Sequence, residues 1–310
     1  DNFSFDVNDI LEDDSINVVV ELIDDSEKAF EIVQRALISG KDVVSANKKM
    51  IAEHLDELLN LAQVSGASFL YEGAVAGSIP IIRNLEEYYN NDSLTSLEGI
   101  VNGTTNYILS KSNDGIGYKE ALAEAQALGF AESNHTLDVD GFDSKYKLAI
   151  LLKHAFGITV APKELFNLGI RHISDHAVAY AKEKGYRIKL FSRAEKLGNQ
   201  IVGFVAPHFV KPDHFAYSVN NEFNAVILEG LFSNQQLFVG KGAGSHPTAS
   251  AVLSDISALK FDYKYEYRKV KKNGSLEFSN DFFVKIYLES NYTELINEIP
   301  FYRVDELFQS

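Results

Sequence analysis

Short β-branched runs alternate with amphipathic stretches along the first third of the chain, and the pattern changes near residue 80. Residues 16–23 (INVVVELI) form a continuous apolar run, as expected of a strand buried on both faces. Asp24, Asp25 and Ser26 offer a helix start. Ala29, Phe30, Val33 and Leu37 then recur at helical spacing until Gly40 closes the helix. DVVSA at 42–46 predicts a second strand, residues 48–62 a second helix, and SFLY at 68–71 a third strand. Strands separated by helices in this way wind a parallel sheet. The pattern reads as the latter half of a doubly wound nucleotide-binding domain.

Beyond Pro80, PIIRNLEEYY predicts a helix with proline in its first turn. Residues 95–101 predict a strand, GTTNYIL opens a helix, YKEALAEAQAL is amphipathic and closed by Gly129, and SKYKLAILLKHAF is again helical. From 186 to 240 the runs RIKLFSR, QIVGFVAPHFV, FNAVILEG and QLFVG predict a largely antiparallel sheet, and PTASAVLSDISAL a closing helix. Residues 265–280 are polar and read as a linker or solvated loop, with FFVKIYLES beginning one more strand. The expected organisation is α/β. A partial Rossmann-like domain occupies 1–78, an α+β catalytic and dimerisation domain 79–262, and a linker with a short tail 263–310.

Composition narrows the classes of function. The chain has 310 residues, 44 acidic against 29 basic side chains and a net charge of −15. Such a surface repels phosphate backbones, so nucleic acid is not an expected partner. No apolar run approaches the length of a membrane span, and the start has no signal-peptide pattern. Without cysteine there is no disulfide framework, thiolate metal site or cysteine nucleophile, and a cytoplasmic location is permitted. The chain begins at Asp1 and holds one methionine, which leads us to expect a portion of a longer protein. The G-x-G-x-x-G fingerprint of dinucleotide domains is absent, and would lie before Asp1.

Four stretches carry candidate chemistry. In GFAESNHTLDVDGFDSKYK (129–147), Asp143 and Lys147 stand four apart on one helical face. A lysine aimed into a dry pocket can donate a proton to a carbonyl oxygen; the competing reading is a surface ion pair. The acidic DVDGFD lacks the ligand spacing of a calcium loop. SANKK (45–49) places Asn47 and Lys48 at the carboxyl end of a predicted parallel strand, where open sheets bind ligands; a solvated helix start is the alternative. EGAVAGSIP (72–80) joins Glu72 to small residues whose carbonyls can hold a monovalent cation, or else forms a tight crossing. GKGAGSHPTA (240–249) can approach an anion or ring face but is no P-loop, since no Ser or Thr follows Lys241. His172 and His176 are four apart without H-E-x-x-H, and read as surface residues.

The order of these motifs is more specific than any one of them. VVVELI, SANKK, EGAVAGSIPII, GIVNGTTNYIL, EAQALGFAE, DVDGFDSKYKLAIL and GKGAGSHPTASAVLSD, from about residue 14 to 260, closely resemble the homoserine dehydrogenase family. The resemblance implies NAD(P)H-linked interconversion of L-aspartate 4-semialdehyde and L-homoserine, with NADP or NAD as cofactor. It implies catalytic roles for Lys147, Asp143 and Lys48, and substrate contacts at Glu132, Asp138, Asp143, Gly103 and Thr104. Cofactor contacts fall at Lys48, Gly129 and Gly244, and a sodium site at Glu72, Val75, Gly77 and Ile79. It also implies a homodimer or higher oligomer, through the strands at 186–240. Asp24 and Asp25 stand where the family commonly has glycines, and one reading of the tail after 280 is the start of an ACT-like domain, cut short or degenerate. The competing expectation is a non-catalytic binding or regulatory protein on the same fold.

Overall fold

The computed structural model describes residues 3–90, 93–131, 134–242, 244–272 and 276–289. A short helix α1 (Asn8–Leu11) leads into strand β1 (Val18–Glu21). Helix α2 (Ser26–Ile38), strand β2 (Asp42–Ser45), helix α3 (Lys48–Ser65) and strand β3 (Phe69–Leu70) follow. The three strands pair in parallel in the order β1-β2-β3, with Val18 opposite Asp42 and Val43 opposite Phe69. Both helices start where the chain offers a cap. Asp25 accepts from the backbone N–H groups of Glu27 and Lys28, and Asn47 accepts from that of Met50. The helical spacing of α2 buries Ala29, Val33, Ala36 and Leu37 completely against the sheet. This is the Rossmann-like half of the α/β fold.

The second half is a mixed sheet with helices over it. Helix α4 (Ile81–Glu87) follows Pro80, which stands just before the helix rather than inside its first turn. Strand β4 (Leu94–Ile100) leads to helices α5 (Gly103–Asn113), α6 (Tyr118–Ala127), α7 (Thr136–Val139) and α8 (Phe142–Phe156). Strand β5 (Phe166–Asn167) and helix α9 (Asp175–Glu183) precede strands β6 (Arg187–Leu197), β7 (Gln200–Val210), β8 (Phe223–Gly230) and β9 (Asn234–Lys241). Helix α10 (Ser245–Leu259), helix α11 (Arg268–Lys272) and strand β10 (Glu277–Phe278) complete the described elements. The sheet runs β10-β7-β6-β4-β8-β9, with β5 added beside β7. Strand β4 lies antiparallel to both β6 and β8, so the sequence-distant 94–100 segment sits at the centre. The antiparallel character expected for 186–240 holds for β6–β7 and β8–β9.

Two expectations about the end of the chain are corrected. Residues 265–280 are not a solvated linker: Tyr265 and Lys269 are buried, α11 forms within the stretch, and β10 pairs with β7. FFVKIYLES is not a strand over its described residues 282–289. The ACT-like reading concerns mostly residues from 290 onward, which lie outside the described ones.

Candidate active site

The carboxyl ends of β1 and β2 form one wall of a crevice. Asn47, just past β2, donates its side-chain amide to the Ile23 carbonyl and so ties the two strand ends together. Lys48 begins α3 immediately after it. Helix α10 starts nearby, since a methyl group built on Gly73 would lie 3.5 Å from Ala46 Cβ and 3.7 Å from Thr248 Cγ2. Ligands of open α/β sheets occupy this position.

The opposite wall comes from β4, α5, α7 and α8. Gly141 has φ of +80°, a turn that glycine adopts without strain, and it lets α8 start directly after α7. Asp138 on α7 and Asp143 on α8 then converge on the end of β4. Asp143 is buried and shared: its Oδ1 lies 3.0 Å from Lys48 Nζ and its Oδ2 2.7 Å from Lys147 Nζ. The Lys147 ammonium also donates to the Val101 carbonyl at 2.7 Å. Lys48 from α3 and Lys147 from α8 therefore meet at one carboxylate, that of Asp143.

The electrostatics follow from burial and charge. Burial alone would raise the Asp143 carboxyl, but the charges of Lys147 and Lys48, with hydrogen bonds from Lys147 and Asn102, outweigh it and hold the group well below the ordinary carboxylate range. Burial depresses the Lys147 ammonium; Asp143 opposes that shift while Lys48 adds to it. Lys48 moves upward, chiefly through the Asp143 charge. Asp138 is raised, first by burial and then by the Asp143 charge. Lys48 stays 43% exposed, so the cluster opens to the crevice on that side.

The turn at 103–104 packs tightly. A side chain on Gly103 would come within 2.8 Å of the Glu222 carbonyl, and Thr104 donates its hydroxyl to the Phe130 carbonyl. That bond brings the 129–131 turn, with Gly129 at φ of +75°, against the start of α5. Glu132 lies outside the described residues.

Two further groups of expected residues lie together. Gly244 (φ of +110°) caps α10, and the loop before it is built for close approach: a side chain on Gly242 would overlap that of Asn224. Asn224 is fully buried, and neither of its amide atoms has a hydrogen-bond partner among the described residues. Exposed Leu22 and Ile23 stand at the end of β1. Exposed apolar side chains at the carboxyl edge of the parallel sheet, and a glycine turn at the start of α10, are features that suit a nicotinamide cofactor.

The 72–79 turn is joined to that loop, with the Ser78 N–H donating to the Lys241 carbonyl at 3.1 Å. Glu72 is buried and pushed up to about 7, chiefly by burial, against two hydrogen bonds that hold it down. Its two oxygens accept the backbone N–H groups of Ile82 and Arg83 at 2.8 and 2.9 Å, so the carboxylate caps α4. The Ile79 carbonyl accepts from Ile81. What this turn offers a hard cation is mainly the carbonyls of Val75 and Gly77, a donor type that fits sodium.

His172 and His176 are not brought into a metal-ligating set. Among the described residues the one such set is Glu27, Glu53 and His54, at the surface. Asp140, in the acidic stretch, pairs with Arg171 at 2.7 Å. Sequence reasoning passed over Asn102, which contacts both Asp138 and Asp143; its signal was a helix-capping residue directly before Gly103.

A half-Rossmann sheet facing a lysine–aspartate cluster across a crevice defines a dinucleotide-dependent dehydrogenase type of architecture. Sequence comparison places the chain within that class: residues 80–257 match the homoserine dehydrogenase family, and residues 1–72 match the NAD binding domain of homoserine dehydrogenase. The chain belongs to the homoserine dehydrogenase family. It is 38% identical to the homoserine dehydrogenase of Lactococcus lactis over 97% of this chain and 68% of that one. The crystal structure of a homoserine dehydrogenase from Thiobacillus denitrificans superposes with a TM-score of 0.80 at 38% identity, covering 87% of this chain but only 61% of that one. A hyperthermophilic archaeal homoserine dehydrogenase mutant in complex with NADPH gives a TM-score of 0.74 at 29% identity, covering 85% of this chain and 77% of that one.

Proposed function

We propose that the protein is a homoserine dehydrogenase, interconverting L-aspartate 4-semialdehyde and L-homoserine with NADPH or NADH. The observation that carries this reading is the buried Asp143 shared between Lys48 and Lys147 at the crevice. When bound, the cofactor supplies or accepts the hydride at the substrate's C4. Residues Lys48, Gly129 and Gly244 hold it.

In the reducing direction negative charge develops on the aldehyde oxygen. Lys147 stabilises that charge and gives it a proton. Two of its three N–H groups are held by Val101 and Asp143, which leaves the third for substrate. Burial makes this ammonium a stronger acid than an ordinary lysine, which eases the transfer. Asp143 keeps Lys147 in place and accepts from the product hydroxyl. Lys48, the exposed partner, adds positive charge between cofactor and substrate. Glu132 and Asp138 serve the substrate's amino-acid end, with Gly103 and Thr104 shaping the floor beneath it.

The same reading assigns sodium to the turn of Glu72, Val75, Gly77 and Ile79 as a structural ion. It assigns a homodimer to the mixed sheet, where Leu237 and Val239 on outer strand β9 are exposed beside Leu231 and Phe232. The same reading carries the cytoplasmic location expected from the sequence. The test is oxidation of NADPH and NADH with L-aspartate 4-semialdehyde, by the full-length protein and by Lys147→Ala. Turnover by the parent alone supports the assignment. A folded full-length protein with no turnover would replace it with the non-catalytic binding reading.

A further inference from the structure

We propose that Asn102 is a positioning residue of this reaction: its one amide nitrogen spans Asp138 and Asp143 and so keeps both carboxylates in register with Lys147. The proposal rests on the dehydrogenase reading above and adds a residue to it. Asn102 follows β4 and precedes α5, and its side chain joins three elements. Its Oδ1 accepts the Thr105 backbone N–H at 2.8 Å, capping α5. Its Nδ2 donates to Asp138 Oδ1 on α7 at 2.7 Å and to Asp143 Oδ2 on α8 at 2.9 Å. The amide orientation is fixed by chemistry, because a backbone donor needs the oxygen and two carboxylates need the nitrogen.

The arrangement solves a charge problem. Asp138 and Asp143 repel each other in a buried site, and such a pair favours protonation of one member. Asp143 has two lysines in contact, whereas the one hydrogen bond that the described residues give the Asp138 side chain comes from Asn102. A neutral double donor lets both carboxylates be solvated by one group without adding a third charge. The adjacent Val101 carbonyl accepts from Lys147. The 101–102 dipeptide thus holds the ammonium with its carbonyl and the acids with its side chain. The charged groups acting on Lys147 are Asp143 on its own helix, Lys48 on α3 and Asp138 on α7, while Asp24, beyond β1, acts on Lys48.

A capping role alone can be separated from a positioning role, because Asn, Asp and Ser cap helices about equally well. The Asn102→Ser and Asn102→Asp variants of the full-length protein therefore keep the α5 cap. The serine hydroxyl has one proton and reaches at most one carboxylate; the aspartate donates to neither and adds a charge. The expected result is a kcat lowered about tenfold in Asn102→Ser and about a hundredfold in Asn102→Asp, on the scale of one and two hydrogen bonds to charged groups. KM moves little in both variants and the unfolding midpoint little in Asn102→Ser, while the added buried carboxylate lowers the midpoint of Asn102→Asp, so its kcat is read at temperatures where it stays folded. The basic limb of the kcat profile in Asn102→Asp rises by about one pH unit, since added negative charge holds the Lys147 proton more tightly. Lysine side-chain NMR of the two variants, read without substrate, follows the same titration. Equal kcat and equal pH profiles in parent and both variants, or losses that track only the unfolding midpoint, would overturn the role of Asn102. Failure of the parent itself to turn over would instead remove the dehydrogenase reading.

Discussion

Two buried polar clusters lie near opposite ends of α8, on the same helical face. The crevice cluster joins Lys48, Asp143, Lys147 and Asp138. The second lies under the 263–272 segment, where Glu86, His154, Tyr71, Tyr267 and Lys269 form a chain. His154 Nδ1 is 2.7 Å from Glu86 Oε1, its Nε2 is 2.9 Å from Tyr71 Oη, and Tyr71 Oη is 2.8 Å from Tyr267 Oη. Lys269 Nζ donates to the carbonyls of Leu85 and His154. Both clusters bury charge, and both shift their members' acid strengths. They differ in what is left over. The crevice cluster opens through half-exposed Lys48, and its Lys147 keeps a donor unspent. In the other, Glu86 accepts from His154 and from the Tyr267 N–H, and both His154 ring nitrogens are engaged. A perturbed buried group marks a reactive site only where it has access and spare hydrogen-bonding capacity.

The sharpest way to break this contrast is to remove one cation from the open cluster. Lys147→Ala should lower kcat by roughly 1000-fold, the range of a lost general acid, while the unfolding midpoint falls modestly because Lys48 still neutralises Asp143. Steady-state NADPH oxidation and a thermal melt read the two effects. A variant within tenfold of the parent would show that protons come from elsewhere. The sign of the pH dependence follows from the depressed Lys147 ammonium. Aldehyde reduction needs it protonated, so the rate should fall as pH rises through a value below the ordinary 10.5. Homoserine oxidation needs it neutral and should rise over the same interval.

The closed cluster should behave in the opposite way. His154→Leu leaves Glu86 buried without its ring partner and Tyr71 with Tyr267 as its one remaining hydroxyl partner. A loss of roughly 3 kcal/mol in unfolding free energy is expected, the scale of breaking a buried pair. At temperatures where the variant stays folded, kcat should stay within about threefold of the parent, since none of its groups faces the crevice. Urea titration and the NADPH assay separate the two effects. A hundredfold fall in kcat with unchanged stability would merge the two clusters into one functional unit.

The contrast also explains what the sequence could and could not tell. The β-branched runs at 16–23 and 42–46 were legible because parallel strands buried on both faces need little context. The strands over 186–240 were legible as short apolar runs separated by polar turns. The Asp143–Lys147 pair was legible because four residues make one helical turn. That Lys48 would share Asp143 was not legible from spacing, since 95 residues of chain separate them and only the packing of α3 against α8 closes the gap. The family resemblance implies a catalytic and cofactor-contacting role for Lys48, without its contact to Asp143. The 265–280 error has a physical origin. FDYKYEYRK alternates tyrosines at 263, 265 and 267 with charged residues, and its overall polarity reads as solvated. Counted at every second residue, the same stretch presents an aromatic face, and that face covers Tyr71 and His154.

A smaller effect tests the closed cluster through its titration. Burial depresses His154 below the usual 6.5, against the pull of Glu86, so the folded protein prefers the neutral ring. Between that lowered value and 6.5 the unfolded chain binds more protons than the folded one. Stability from this group is therefore fully present above 6.5 and is lost as pH falls. Glu86, also depressed despite its burial, loses its contribution in the same direction but further into acid. Glu72, raised to about 7, acts with the opposite sign: its preference for the protonated form costs stability as pH rises from 4.5 toward 7. A difference measurement removes Glu72, which both proteins share. The unfolding free energy of the parent minus that of His154→Asn should shrink by about 1 kcal/mol between pH 7 and pH 5. A difference that stays flat across this interval would mean that His154 takes up its proton equally readily folded and unfolded, and that the cluster beneath the 263–272 segment is open to water after all.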